Sequence, residues 1–467
     1  MIFNSLEFAA FFVSLFGMLS IMRSDTLRRW TLIVGSYVFY GAWDVRFVPL
    51  LLAYTLAGWL FGLAIHSSSH QRGRLFLLWA GVGLALAGLA FFKYTNFLLS
   101  VAAGLVGWSV VPTLSIILPV GISFFTFEVV SYLVDIHRGV ARPARCFRDF
   151  ALFMAFFPRL VAGPIIRPAQ FLPQIEQPLH FDVADILAGA KLFIGGLVLK
   201  TVCADNLAVY VDAVYENVGA FSGETLLFAA VCYSAQIFAD FCGYSLMAIG
   251  LGRAFGIQLP QNFDFPYIAR SVAEFWHRWH ISLSTWLRDY LYIPLGGSRN
   301  GLTSTYVNLM ITMILGGLWH GASWNFILWG LCHGLALVFY HVWHRRNVWF
   351  TTYDTFATSV ASWLITFTLV TALWIPFRSP DMKTTVAFLE RALTGADGIT
   401  WFHTQSMVVV LGMVFWHLLK VANPTANGAD WRLRIPEWGN VAIIMSGFLL
   451  VAMFGQYQGS PFIYFQF

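Results

Sequence analysis

Residues 305–344 read TYVNLMITMILGGLWHGASWNFILWGLCHGLALVFYHVWH and contain no Asp, Glu, Lys or Arg. A helix needs about 20 predominantly apolar residues to cross the hydrocarbon core of a membrane. We interpret 305–318 and 323–344 as two candidate spans. Similar apolar runs occur along the whole chain, so this pair sets the expectation for the rest.

The composition of the 467-residue chain has the same character. Hydrophobic residues make up 58% of the sequence and charged residues 11%, whereas soluble proteins carry about 25% charged residues. So few charges could not cover the surface of a soluble protein of this size. The composition therefore predicts a polytopic membrane protein and argues against a disordered chain or a basic nucleic-acid-binding surface.

The apolar runs predict an all-α protein with about eleven spans and a few re-entrant pieces. With no internal repeat or flexible linker, we expect one membrane domain over residues 1–467. The candidate spans are 6–22, 30–43, 46–65, 75–92, 97–111, 115–136, 149–162, 184–204, 224–251, 305–318, 323–344, 357–376, 405–421 and 439–456.

Arginines in short loops set the expected orientation, because such loops stay in the cytoplasm. Arginines lie between the first two candidate spans and between the third and fourth, which puts the N-terminus outside. The loop from Arg138 to Arg148 should also be cytoplasmic, yet counting 97–111 as a full span places it outside. We therefore expect that one segment between 75 and 136 does not cross the membrane as assigned here.

Residues 260–300, PQNFDFPYIARSVAEFWHRWHISLSTWLRDYLYIPLGGSRN, break the hydropathy pattern by mixing prolines, histidines and charges with aromatic residues. Irregular backbone exposed to lipid would leave its peptide groups without hydrogen bonds. We expect this segment and the proline-rich segment 157–173 to be irregular or re-entrant structure that lines a central cavity.

Histidines in these regions are the main candidates for chemistry. His320 lies in otherwise apolar sequence, where an ionisable residue usually faces a cavity, with a buried structural histidine as the alternative. His277 and His280 are three residues apart and would share a face if the segment is helical. An interfacial amphipathic helix is the alternative there. A histidine is suited to act as a general base at neutral pH.

Other kinds of chemistry have little support in the sequence. The nucleophile motif GxSxG and the phosphate-binding motifs GxxxxGK[ST] and GxGxxG are absent, which disfavours a serine hydrolase and nucleotide-driven chemistry. HxxH pairs begin at His277 and His341, but the denser histidine boxes of membrane di-iron oxygenases are missing, so we expect no metal. The residues by themselves fit an acyltransferase or a transporter.

The run NFDFPYIARSVAEFWHRWHISLSTWLRDYLYIPLGGSRNG, followed by TMILGGLWHGASWNFILWG, resembles the membrane-bound O-acyltransferase family. The similarity is greatest to its branch of alginate, cellulose and peptidoglycan O-acetyltransferase subunits. ILPVGISFFTFEVVSYLVDIHRG, FFPRLVAGPIIR, QIFADFCGYSLMAIGLGRAFGI and the ending SPFIYFQF resemble the same branch. The resemblance covers most of residues 1–345 and the last dozen residues.

This resemblance implies a helical fold around a central funnel or tunnel, with re-entrant or interfacial helices and a catalytic core at residues 260–345. It implies that acetyl is taken from acetyl-CoA on the cytoplasmic side of a bacterial inner membrane and passed across for O-acetylation of an exported polysaccharide. The family's two histidines match His320, in GLWHG, and His280, in WHxSLS. A lipid or protein acyltransferase of the same family, and a transporter or flippase, remain alternatives.

Side chains near the two histidines are candidates for binding acetyl-CoA. The two arginines among them could meet the phosphates of the cofactor, although anchoring at the membrane surface is an equal alternative. The candidate cofactor-binding residues are Arg278, Arg288, Ser284, Trp319 and Asn325.

Three positions differ from the pattern of this branch. Cys242 and Leu246 stand where relatives often carry Ser and Asp, and His277 stands where they usually carry Arg. We therefore assign no catalytic role to His277.

The predicted product also implies partners. The longest polar stretches are about 20–25 residues, too short for a polymer-binding domain of some 50 residues or more. We expect a periplasmic or membrane-anchored acetyltransferase with a Ser nucleophile, the polysaccharide export machinery and membrane lipids as partners, and no nucleic acid. The chain length and the PFIYFQF ending favour cellulose slightly over alginate or peptidoglycan.

Overall fold

The structure, a computed structural model, describes residues 1–107, 113–345, 355–422, 437–456 and 462–463. Within these residues the regular structure is helical, apart from an isolated bridge between Phe221 and Ile399. Eight of the described helices are long and apolar enough to cross a membrane, and two further apolar helices are shorter. The predicted all-α polytopic membrane class is confirmed.

The chain divides into two compact units, Met1–Phe193 with Tyr244–Pro260, and Ile194–Gly243 with Gln261–Phe467. The α-helices described in the first unit are Leu6–Ile21, Asp25–Gly41, Val48–Ser67, Gln71–Leu89, Thr95–Val106, Ile122–Arg138, Phe147–Ala155, Phe157–Leu160 and Pro168–Glu176. Those described in the second are Asp205–Glu216, Val272–Arg278, Ile281–Leu287, Leu302–His320, Trp324–Arg345, Phe356–Arg378, Met382–Thr394, Thr404–Ala422 and Glu437–Phe454. Val183–Val198 and Gly223–Ala254 contribute residues to both units. The single membrane domain expected from the sequence stays a prediction.

One continuous helical segment, Gln71–Val106, replaces two of the candidate spans. Candidates 75–92 and 97–111 lie on it as far as the described residues extend, joined by a π-helical turn at Ala90–Tyr94. Polar residues that interrupt the apolar run here do not interrupt the helix. The cytoplasmic position expected for the loop that begins at Arg138 stays a prediction.

The candidate span 149–162 is wrong. The chain forms two short helices there, Phe147–Ala155 and Phe157–Leu160, which are buried in the first unit. Neither helix is long enough to cross a membrane. Of the segment 157–173, for which the sequence predicts irregular or re-entrant structure, residues 161–167 are irregular, whereas its ends lie in the helices Phe157–Leu160 and Pro168–Glu176.

In the second unit, the helices Leu302–His320 and Trp324–Arg345 pack closely through glycine. A Cβ atom added at Gly317 would overlap the carbonyl oxygen of Phe326, and one at Gly330 would overlap that of Met313. Small residues allow such close approach of helices in membranes. The absence of a side chain at Gly317 therefore allows the two helices to approach closely.

We expect Gly317→Ala to lower the stability of the protein by about 1–3 kcal/mol, because the added methyl group must push two backbones apart. Thermal unfolding in detergent would show this as a lower midpoint. Gly412→Ala is the matched control, since a Cβ at this helical glycine meets nothing within 4 Å. Equal midpoints for the two variants would contradict the packing role of Gly317.

Candidate active site

The polar segment before the helix pair folds as two short helices, Val272–Arg278 and Ile281–Leu287. The hydroxyl of Ser271 caps the first by accepting a hydrogen bond of 3.1 Å from the backbone N–H of Glu274. The segment is thus broken into short pieces, as the sequence predicts. The break falls at Trp279 and His280, between the two helices.

His280 has a left-handed backbone conformation, with a φ angle of 42°. Non-glycine residues seldom adopt this conformation, which ends one helix and turns the chain into the next. The turn separates His280, which is 0% exposed, from His277, which is exposed. The prediction that the two histidines share a helical face is wrong, because the first helix ends before His280.

Asn262 holds this turn in place. Its backbone carbonyl accepts the N–H of Ile281 at 3.0 Å. Its side-chain Oδ1 accepts from the backbone N–H of Ser282 at 3.2 Å and from the Ser282 hydroxyl at 2.8 Å. The same Oδ1 lies 3.1 Å from Nδ1 of His280. The resemblance did not single out Asn262, although the residue opens the motif NFDFP.

These contacts determine where the proton of His280 is bound. The backbone N–H of Ser282 can only donate, so the atom facing it must be the amide oxygen of Asn262. An oxygen in this position requires Nδ1 of His280 to be the donor, which leaves the lone pair of the neutral ring on Nε2. Burial lowers the pKa of His280 to about 3. The ring is therefore neutral at physiological pH, with its proton on Nδ1.

His320 lies at the C-terminal end of the helix Leu302–His320 and is 4% exposed. Its ring centroid is 5.1 Å from that of Trp319, 5.1 Å from that of Trp329 and 5.2 Å from that of Phe377. The Trp319 ring also lies 6.0 Å from the ring of His280. The structure thus gathers both predicted histidines around the predicted residue Trp319.

Asn325, another predicted residue, fixes the start of the next helix. Its side-chain amide donates to the carbonyl of Ser379 at 2.8 Å, and its oxygen accepts from the Thr385 hydroxyl at 3.3 Å. The side chain is buried and engaged by the protein itself. In this structure Asn325 ties the chain that follows His320 to the end of another membrane helix.

The remaining candidates for cofactor binding are also engaged by protein groups. Arg278 pairs with Glu274 at 2.9 Å and with Asp264 at 3.1 Å. Arg288, which is more exposed, pairs with Asp289 at 2.7 Å. The hydroxyl of Ser284 donates to a backbone carbonyl at 3.2 Å. A role of these residues in holding the phosphates of acetyl-CoA stays a prediction.

A third buried histidine, His333, packs against the same tryptophan ring, Trp329, as His320. Its ring is 4.6 Å from Trp329, which also contacts His320, and 5.1 Å from Trp276. Neither ring nitrogen of His333 has a hydrogen-bond partner among the residues that the structure describes. Edge-to-face packing on tryptophan rings surrounds this imidazole and extends the aromatic wall of the site.

Comparison with known proteins places the sequence in a family. Residues 146–375 match the membrane-bound O-acyltransferase family. The chain is 36% identical to the probable alginate O-acetylase AlgI of Pseudomonas putida, over 100% of both chains. It is 31% identical to the peptidoglycan O-acetyltransferase of Helicobacter pylori, over 98% of this chain and 94% of that protein. It is 32% identical to the teichoic acid D-alanyltransferase of Streptococcus thermophilus, over 49% of this chain and 58% of that one.

The match spans the region of both histidines, and the similarity to the alginate and peptidoglycan proteins extends over nearly the whole chain. The resemblance inferred from the sequence motifs is therefore confirmed, together with the multi-pass membrane character that the spanning helices show. With its buried His280 and His320 in the matched region, the chain belongs to the membrane-bound O-acyltransferase family.

Proposed function

We propose that this protein is the membrane subunit of an O-acetyltransferase that acts on an exported polysaccharide from the bacterial inner membrane. It takes acetyl from acetyl-CoA on the cytoplasmic side and passes it across the membrane. The full-length similarity to alginate and peptidoglycan O-acetylating proteins supports a polymeric acceptor. The preference for cellulose rests only on the chain length and the PFIYFQF ending.

The observation that carries this proposal is the arrangement of the two buried imidazoles. A neutral His280 with its lone pair on Nε2 and a second histidine, His320, contact the same indole ring. Acyl transfer to a hydroxyl needs a base for the hydroxyl proton and a polar group near the developing oxyanion. Two imidazoles held in an aromatic wall supply the base, and the imidazolium that forms when a ring takes up the proton is a donor for the oxyanion.

In the proposed reaction His320 is the general base. It accepts the proton of the acceptor hydroxyl as that oxygen attacks the thioester carbonyl carbon. The carbon–sulfur bond then breaks, and the proton passes to the departing thiolate of coenzyme A. His280 accepts a hydrogen bond at Nε2 and so orients the reacting groups. This is direct transfer; in a path through an acetyl-enzyme, a nucleophile of the chain would first displace the thiol of coenzyme A, and the acceptor hydroxyl would then displace that nucleophile.

A second protein completes the proposed pathway. The acceptor that receives acetyl from this chain is a Ser nucleophile of a periplasmic or membrane-anchored acetyltransferase, which then modifies the polymer. Lipid or protein acylation, and transport without chemistry, are the competing functions. Each predicts a different fate for the acetyl group.

Reconstitution with radiolabelled acetyl-CoA tests the proposal. In vesicles that contain the purified chain, a serine-containing partner and polysaccharide, we expect labelled ester on the polymer. Omitting the partner should remove most of this signal, and substituting Ala for the nucleophilic Ser of the partner is the matched control. Efficient polymer labelling without any partner would contradict the partner step. Label that appears only in lipid, or no ester at all, would favour the competing functions.

A further inference from the structure

A buried ionic cluster lies in the second unit and contains neither of the two histidines. The ammonium of Lys200 is 2.8 Å from a carboxylate oxygen of Asp240 and 2.7 Å from one of Asp205. All three side chains are at most 4% exposed, and all three lie in helical segments of membrane-spanning length. Charged groups at such positions are costly and are usually retained for a function.

The cluster sits beside a distortion of its helix. Leu199–Ala204, which carries Lys200, is a π-helical stretch, and such stretches are often found at functional sites. Two carboxylates share one ammonium here, so the acidic groups can accept more hydrogen bonds than the lysine supplies. The structure shows where one of these bonds goes.

Asp240 binds the C-terminal segment, which comprises the described residues Phe462 and Ile463. Its Oδ2 accepts the backbone N–H of Ile463 at 2.7 Å, while its Oδ1 faces Lys200. Phe462 and Ile463 are 3% and 4% exposed. These two residues are therefore packed into their own unit.

A second attachment holds the chain shortly before this point. The side chain of Asn206 donates to the carbonyl of Phe454 at 2.9 Å. The backbone N–H of Gln456 donates to the carbonyl of Thr201 at 3.2 Å. The segment that bears Lys200 and Asp205 is thus hydrogen-bonded to the end of the helix Glu437–Phe454 and to the residues just after it.

A short series of aromatic contacts connects Asp240 to the candidate active site. Phe462 lies 5.8 Å, centroid to centroid, from Phe241, the neighbour of Asp240 in sequence. Phe241 in turn lies edge-to-face on the ring of His280 at 4.6 Å. The C-terminal segment therefore supports the ring against which His280 packs.

We propose that Asp240, held by Lys200, is a positioning residue that anchors the C-terminal segment through Ile463 and thereby fixes the wall of the His280 site. A carboxylate suits this position because both of its partners are donors and each needs an oxygen. An asparagine offers only one acceptor oxygen. The effect on catalysis rests on the proposed function, whereas the anchoring does not.

Hydrogen exchange of the peptide that contains Phe462 and Ile463 tests the anchoring directly. We expect Asp240→Asn to speed exchange by about tenfold or more, because it removes a hydrogen bond to a charged group. Ile463→Pro removes the donor and leaves the ionic cluster unchanged, so the neighbouring amides should also exchange faster. Asp205→Asn is the matched control, since this change alters the same cluster without a contact to Ile463.

Steady-state kinetics tests the link to His280. If the anchor positions the site, Asp240→Asn and Ile463→Pro should lower kcat for acetyl transfer and leave KM for acetyl-CoA unchanged. Ile463→Val, which keeps the amide, should behave like the wild type. Unchanged exchange in folded Asp240→Asn and Ile463→Pro proteins would overturn the anchor. Faster exchange with wild-type kcat would overturn the positioning role, and an absence of transfer in the wild type would count against the proposed function alone.

Discussion

His320→Ala should reduce acetyl transfer by about 10²–10⁴-fold, the usual contribution of a general base. The rings packed against it, Trp319, Trp329 and Phe377, carry no basic nitrogen that could take over this role. The measurement is release of coenzyme A or formation of labelled ester by the reconstituted chain with its partner. Binding of acetyl-CoA should change much less than kcat.

Two further variants make this result specific. His320→Gln keeps a hydrogen-bonding side chain of similar length but has no basic nitrogen, so its activity should be as low as that of the alanine variant. His277→Ala removes a histidine from an exposed position and should retain activity. Substantial transfer by a well-folded His320→Gln protein would refute the general-base assignment and favour a structural role.

Much of the fold follows from the sequence because hydropathy reports directly on burial in lipid. The helix Leu302–His320 exceeds the candidate 305–318 by a few residues at each end, and Trp324–Arg345 is shifted by one residue from the candidate 323–344. Polar interruptions are harder to interpret. Those in Gln71–Val106 leave the helix continuous, whereas a similarly apolar run at 149–162 breaks into short buried helices.

The candidate site shows the same limit at the scale of single residues. Family motifs identify His320 and His280, but helical spacing wrongly groups His280 with His277. The reason is one dihedral angle: the φ of 42° at His280 ends the helix and reverses the exposure of the two side chains. The role of Asn262 depends on that turn, so helical or strand periodicity could not have revealed it. The signal available in the sequence was its place in the motif NFDFP, 18 residues before His280.

Asn262 should therefore be the most sensitive position outside the two histidines. Asn262→Ala removes the acceptor that holds the proton on Nδ1 of His280, and the ring can then turn or change tautomer. We expect acetyl transfer to fall by about 10–100-fold, since loss of tautomer control alone costs up to about 10⁴ in serine proteases. Gln261→Ala is the matched control, because its amide bonds the carbonyl of Phe263 and does not reach His280.

The isosteric variant Asn262→Asp distinguishes two roles of Asn262: control of the protonation of the His280 ring, and support of the backbone turn. The carboxylate keeps the acceptor oxygen, so the turn and the Nδ1 proton should persist, but its negative charge stabilises the imidazolium form. The pKa of His280 should therefore rise from its buried value of about 3. If neutral His280 is required, kcat will be lost as pH falls through the raised pKa, and the acidic limb of the pH–rate profile will move to higher pH.

A profile identical to that of the wild type, in a protein whose activity is retained, would mean that His280 takes no part in proton transfer or polarisation. An acidic limb that moves to higher pH, with activity recovered above the raised pKa, would assign His280 to the reacting centre.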